Sequence, residues 1–432
     1  MNNFEKNKEM IFDSARAKRL YMRKEKFDSL IPTLGAETAY ALNDLYSLYD
    51  EDIYIWLSEL YQPEIGGFYY SNSARDTEGY LPDIESTAQV FVLCKITGLF
   101  ASLPDGLPRN MPEKLKKSIA AFTKSLQDSE TGYFYHPQWG KGVNHARRGR
   151  DLRWALNVLD DLGECADYPT VLEHLEKKDD MAVLPEHLRS PDAFREYLLS
   201  FEKKNWTSYQ YGNVLASQSS EIHAAGEEFA KVVFEYLDGR RNPENGLWEK
   251  EVDYSSVNGS MALTKLYTGL SKPLPYAEKA FGSAMYVAMD DEVPTFVCQF
   301  YNPWLTMSRI LDNLTKFGEI DTANRLRERV RNVAPRLLDV AMERIKMFKK
   351  DDGSFSYFTK CTSDKSQGMP VAVAETNEGD VNATAIATCG VLMNIASTLG
   401  IELPPVFCAD DSEIFLKSLE LSVPKEKRYH NS

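Results

Sequence analysis

Stretches in which apolar residues recur every three to four positions end, along this chain, in one repeated device. IWLSELYQPEIGGFYY (55–70), FTKSLQDSETGYFY (122–135), FEYLDGRRNPENGLW (234–248) and MFKKDDGSFSYF (347–358) each read as the close of an amphipathic helix, a polar turn, a glycine and then aromatics. Glycine stops a helix well because it takes the left-handed conformation without steric cost. The aromatics after it are placed to cover the end of a hydrophobic core. With Gly67, Gly132, Gly246 and Gly353 as anchors the separations are 65, 114 and 107 residues. The last two gaps each hold two units of about 55 residues, and a unit of that size fits two helices and their loops. Six hairpins then account for the chain.

A second helix is expected after each turn, at 81–100, 149–162, 205–220, 255–270, 301–314 and 379–400. These stretches are rich in Ala, Ser, Thr and Gly, which let helices crowd around a central axis. Charged stretches such as TANRLRERVRNVAPRLLDVAMERIKMF carry a polar face and belong outside. The pattern predicts an all-α, single-domain (α/α)6 toroid. Residues 1–36 form an N-terminal helical extension, 37–420 the ring with an excursion near 165–200, and 421–432 a polar tail.

Composition narrows the function. Hydrophobic residues make up 43% of 432, enough for a large core, and the formal net charge of −14 argues against nucleic-acid binding. The N-terminus has no apolar run of signal-peptide type, and no run of 18 apolar residues suggests a membrane span. Six scattered cysteines without a CxxC pair fit free thiols in a reducing, cytoplasmic setting. No HExxH, GxGxxG, GxxxxGK or GxSxG motif is present, so neither a metal nor another cofactor is expected. Oligomeric state is not legible.

IAAFTKSLQDSETGYF (119–134) resembles the QW-type repeat of the terpenoid cyclase and protein prenyltransferase superfamily. Gln127, Gly132 and Phe134 stand at that repeat's Gln, Gly and aromatic positions, and Gln62, Gly67 and Phe68 form a looser copy. The resemblance implies an α/α toroid, an architecture also used by (α/α)6 glycoside hydrolases and polysaccharide lyases. DIESTA (83–88) is similar to the DxDDTA acid motif of class II terpene cyclases, which would put Glu85 at the proton-donating position, with Ser86 in place of the family's second Asp. DVNATA (380–385) holds the corresponding place in the last repeat, with Asn382 where the acid would be. Asp before a helix is also an ordinary N-cap.

In such a ring the inner helices run the same way, so their N-termini and the turns before them meet at one mouth. Glu85, Asp83, Asp151 and Asp380 are the candidate catalytic carboxylates. Tyr69, Tyr70, Arg75, His136, Trp139, His145, Arg148, Arg150, Trp206, Tyr209, Asn302 and Trp304 are the candidate substrate contacts. Aromatic faces stack on sugar rings, amides and arginines bind hydroxyls and carboxylates, and paired carboxylates supply acid and base. Several also read as framework: Tyr69 and Tyr70 as core, the aspartates as caps, Trp304 as packing. The expected function is a carbohydrate-active enzyme, a glycoside hydrolase or lyase, with a small-molecule or oligosaccharide ligand. The alternatives are a class II terpenoid cyclase-like enzyme using Glu85 as proton donor, and a non-catalytic binding ring.

Overall fold

The glycine turn fixes how each hairpin folds back. In the computed structural model, which describes residues 8–177, 185–425 and 427, Gly66, Gly132, Gly246 and Gly353 have φ of 90°, 70°, 72° and 81°. The residue two positions on (Phe68, Phe134, Trp248 or Phe355) is buried every time. The first anchor is therefore Gly66 rather than Gly67; two adjacent glycines hid the register. Glycine is required twice over, by φ and by close approach. A Cβ on Gly66 would stand 2.2 Å from the Ser118 carbonyl oxygen, and one on Gly132 2.3 Å from that of Pro169. Around the turns the backbone closes miniature antiparallel pairs: Tyr61–Gln62 with Gly67–Phe68, Gln127 with Phe134, and Lys349 with Phe355.

The longer helices are α1 (Lys8–Leu34), α2 (Ala36–Tyr46), α3 (Asp52–Glu59), α4 (Ile84–Thr97), α5 (Glu113–Ser125), α6 (His145–Leu162), α7 (Pro191–Lys203), α8 (Ser208–Ser217) and α9 (Glu227–Asp238). They continue with α10 (Tyr254–Gly269), α11 (Ala277–Met289), α12 (Cys298–Lys316), α13 (Ile320–Arg331), α14 (Ala334–Lys346), α15 (Val381–Ala385), α16 (Val391–Leu399) and α17 (Ala409–Glu420). A π-helical turn, Ile386–Gly390, joins α15 to α16. The inner helices α4, α6, α8, α10, α12 and α15–α16 pack each on the next, and the last packs on the first. That closed circuit, with outer helices between its members, is the (α/α)6 toroid. All six inner segments fall where the small-residue stretches placed them.

The ring closes through one local device used at both ends of the chain. Asp83 and Asp380 are N-caps, each accepting the N–H three residues on, from Ser86 and Ala383. Thr87 and Thr384 accept, through Oγ1, the N–H of Phe68 and Phe355 at 3.1 and 3.0 Å. DIESTA and DVNATA thus fasten each Gly-aromatic turn to the helix after it. The two copies are neighbours, because Val381 N–H donates to the Tyr70 carbonyl and α15 packs on α4.

The N-terminal extension is tied into the ring. Arg19, 3% exposed, bridges Glu51 and Asp411, and Arg23 donates to the carbonyls of Tyr46, Tyr49 and Val406. Within the excursion near 165–200, residues from Pro191 onward form the outer helix α7, and residues 178–184 lie outside the described residues. Of the polar tail, Lys427 reaches back to the Thr77 and Tyr80 carbonyls, and 428–432 lie outside the described residues. All six cysteines are free. One helical run, Val381–Leu399, is long and apolar enough to cross a membrane by length and composition; it is the last inner helix, and 61% of it is buried within the fold.

Candidate functional site

The inner helices enclose a cavity of about 620 Å³, and each of the six contributes to its wall. Helical spacing decides which side chains face it. Arg150, Arg153, Trp154 and Asn157 come from α6, Met261 and Lys265 from α10, and Asn302, Leu305 and Arg309 from α12. Near the helix N-termini the wall is aromatic and polar, with Tyr70, Tyr209, Tyr357 and Cys298. Over that mouth lies a hairpin in which Lys365–Ser366 pairs with Met369–Pro370. Trp139 Nε1 donates to the Pro370 carbonyl at 3.2 Å, Asn144 Nδ2 donates to the Gln367 carbonyl, and Ser366 Oγ donates to Glu85 at 3.0 Å. The mouth is partly covered, because the last unit carries this extra hairpin between its glycine turn and its inner helix.

Five cationic side chains line the cavity, Arg150, Arg153, Lys265, Arg309 and Lys365, and no Asp or Glu is among the lining residues. Arg150 is neutralised from behind by Glu85. Arg153, Lys265 and Arg309 have no carboxylate within ion-pair distance among the described residues; Arg309 donates to the Met261 carbonyl at 2.8 Å. Burial, then Arg150, pushes the Arg153 guanidinium down to about 10, still charged at neutral pH. Burial first, then Arg153, Arg309 and Arg150, brings the Lys265 ammonium down to about 6. A chain with net charge −14 thus encloses a pool of unpaired positive charge.

The four candidate catalytic carboxylates sit behind this wall. Arg147, with no exposed surface, bridges Asp83, Glu85 and Asp151 at 2.9 Å each. Trp139 covers the guanidinium 4.5 Å from its ring centre. Burial raises the Glu85 carboxyl, but Arg150 and Arg147 outweigh it and hold the group below the usual range, so it is ionised. Asp151 is pushed up to about 7 by burial, with Glu85 and Asp83 adding to it against Arg147. Three carboxylates share two guanidiniums here, so one retained proton balances the cluster. Asp151 lies inside α6, whose N-cap is Asn144, so it is not a cap. Asp380 is raised to about 6 by burial, against hydrogen bonds from Ala383 N–H, Thr362 and Tyr70.

Of the candidate substrate contacts, Tyr70, Arg150, Tyr209 and Asn302 line the cavity. The others do not, for separate reasons. Tyr69 and Trp304 are core, 2% and 1% exposed. Arg75 is held outside the ring by Asp76 and Glu59. His136, depressed chiefly by burial, sits 2.8 Å from the Pro82 carbonyl through Nε2 and stacks near Trp139. His145 and Arg148 bond each other at 2.6 Å in a buried network with His187, Tyr133 and Glu221. Trp206 stacks on Phe201 at 4.9 Å. Reading the turns alone missed Arg153, Lys265 and Arg309. Lys265 and Arg309 are each a single basic residue inside an inner-helix stretch of mostly small or apolar residues, MALTKLY and TMSRIL, a contrast visible in the sequence, whereas Arg153 follows three other arginines on its helix. Among the described residues no group of three or more His, Cys, Asp or Glu side chains could hold a metal ion.

No family model and no curated protein matches the sequence. Among solved structures the chain is similar to a variant of the type II terpene cyclase MstE from Scytonema, in complex with its product merosterolic acid A. The two share 15% identity over 83% of this chain and 98% of that one, with a TM-score of 0.39.

Proposed function

We propose that the toroid binds, and acts on, a small molecule carrying a phosphate, sulfate or carboxylate group in its central cavity. The observation that carries this reading is the set Arg153, Lys265 and Arg309 around one cavity with no carboxylate to pair them. Part-buried charges without counterions destabilise a fold, so the two guanidiniums, with Lys265 beside them, point to a partner absent from the chain itself. An anion entering gains charge-assisted hydrogen bonds in a medium of low dielectric. Asn302, Asn382 and Asn394 line the same cavity and offer amide contacts to the rest of the ligand.

A carboxylate-pair glycosidase is less well supported, because Asp83, Glu85, Asp151 and Asp380 are committed to Arg147, to caps and to the wall's rear. A cyclase-like reading has a specific observation in its favour. Tyr70, Tyr209, Tyr301, Tyr357 and Trp154 present aromatic groups to the cavity, suited to a cationic intermediate. On that reading Glu85, held ionised, is not the proton donor, and the anionic group is the substrate's head group.

Calorimetric titration with sulfate, which stays doubly ionised from pH 6 to 9, tests the anion site. Free Lys265 titrates near pH 6 and is neutral above it; a bound anion raises its affinity for a proton. Binding should therefore take up a proton and weaken as pH rises from 6 to 9, by up to about tenfold per unit within the window. Arg153, lowered only to about 10 and chiefly by burial, remains mostly charged throughout. Tyr209 and Tyr301, raised to about 12 by burial, and Cys298 and Cys389, raised to about 11 and 12 chiefly by burial, remain neutral. Tyr70, raised by burial, and Tyr357, raised first by Cys298, do too. Lys365 lies on the hairpin at the mouth. Lys265→Met should flatten the profile. No sulfate binding at pH 6 would remove the proposal.

A further inference from the structure

Lys265 differs from the other cavity cations in what its environment makes of it. It stands one helical turn after Met261 on α10, and both face the cavity. Arg309 of α12 donates to the Met261 carbonyl, so a guanidinium is fixed beside the lysine's own helix. Arg150 and Arg153 approach from α6, and no hydrogen bond or ion pair to another described residue holds the Lys265 Nζ. An arginine in such a place stays charged, whereas a lysine gives up its proton, because the ammonium is a compact charge that depends strongly on hydration. A lysine desolvated beside other cations is an amine with a free lone pair, the state in which it attacks carbonyl carbon.

We propose that Lys265 is a catalytic nucleophile that forms an imine with a carbonyl compound bearing a carboxylate or phosphate, whose anionic group is held by Arg153 and Arg309. This rests on the cavity being an anion site and names the reactive part of its ligand. In the step, the Nζ lone pair adds to the carbonyl carbon. The oxygen then leaves as one water, carrying both protons that Nζ brought. A C=N bond replaces a C=O bond, no electrons are exchanged, and no further reactant is needed. Once protonated by solvent, the imine withdraws electrons from the adjacent carbon, so the chemistry it opens is bond-making or bond-breaking next to the original carbonyl.

Reductive trapping on the intact chain tests this. The probe is glyoxylate, an anionic aldehyde, with cyanoborohydride at pH 7, followed by peptide mass mapping. Lys265 should carry the carboxymethyl adduct at a rate at least roughly tenfold above exposed lysines, since those are almost wholly protonated at pH 7. At subsaturating glyoxylate, where the rate reports the unliganded lysine, its labelling should reach half its maximal rate near pH 6, whereas exposed lysines are still rising above pH 9. Sulfate should compete, and acetaldehyde, lacking the anion, should label Lys265 more slowly than glyoxylate does. Arg309→Met should slow glyoxylate labelling of Lys265 while leaving surface lysines unchanged. Labelling spread over surface lysines with Lys265 unmodified overturns the imine. If sulfate still binds with the expected pH profile in that case, the anion site stands and only the nucleophile falls; if sulfate fails to bind as well, the cavity reading falls with it.

Discussion

Replacing Arg147 by methionine is expected to cost about 3–5 kcal/mol of stability, read as a lowered midpoint of urea unfolding. The guanidinium has no solvent contact and is the shared partner of Asp83, Glu85 and Asp151. Without it, three carboxylates on two adjacent inner helices face one another with only Arg150 near. Each must take a proton, find water, or push the helices apart. Asp83 also caps α4, so any movement at the cluster loosens the first turn of that helix. Arg147→Lys should recover only part of the loss, because an ammonium cannot reach three carboxylates as a planar fork does. A loss below about 1 kcal/mol would mean that the cluster is hydrated and that the α4–α6 contact does not depend on it.

The double substitution Arg153→Met with Arg309→Met is expected to abolish sulfate binding while raising stability. Hydrogen bonds to charged groups are worth about 1.5–3 kcal/mol each, so two lost together weaken binding by a factor of a hundred or more. In the ligand-free protein the same two guanidiniums are desolvated without a carboxylate, so methionines of similar length should relieve strain. Lost binding with gained stability marks a functional cavity. Calorimetry and thermal unfolding on the same preparation give both readouts. Wild-type affinity, or a lowered melting temperature without ligand, would assign these arginines to the framework instead.

The sequence carried the architecture because the device that builds it is local. A left-handed glycine followed two residues later by a buried aromatic is a backbone requirement, and it survives wherever a hairpin must turn. The one slip, Gly67 for Gly66, came from adjacent glycines that composition cannot tell apart. DIESTA has two mechanical parts, an aspartate cap and a threonine that accepts the preceding turn's N–H. DVNATA performs the same two tasks without an acid between them.

The site was less legible for a physical reason. The search followed the turns at the helix N-termini, and there most polar groups are consumed by the fold: His136 at the Pro82 carbonyl, Arg75 by its acidic neighbours, Trp139 over Arg147. The groups left unpaired lie further along the inner helices, where facing the axis depends on rotation about each helix. Lys265 and Arg309 stood out in composition and Arg153 did not, but only the closed ring brings the three to one cavity. The hairpin over the mouth, residues 365–370, carried no periodic signal at all, and it covers part of the opening.

The most direct test of the cavity as an anion site is a crystal structure of the protein grown with selenate, located by its anomalous scattering. The expected result is a selenium peak in the central cavity within hydrogen-bond distance of Arg153, Lys265 and Arg309. A cavity holding only water, with selenate confined to the outer surface, would contradict it.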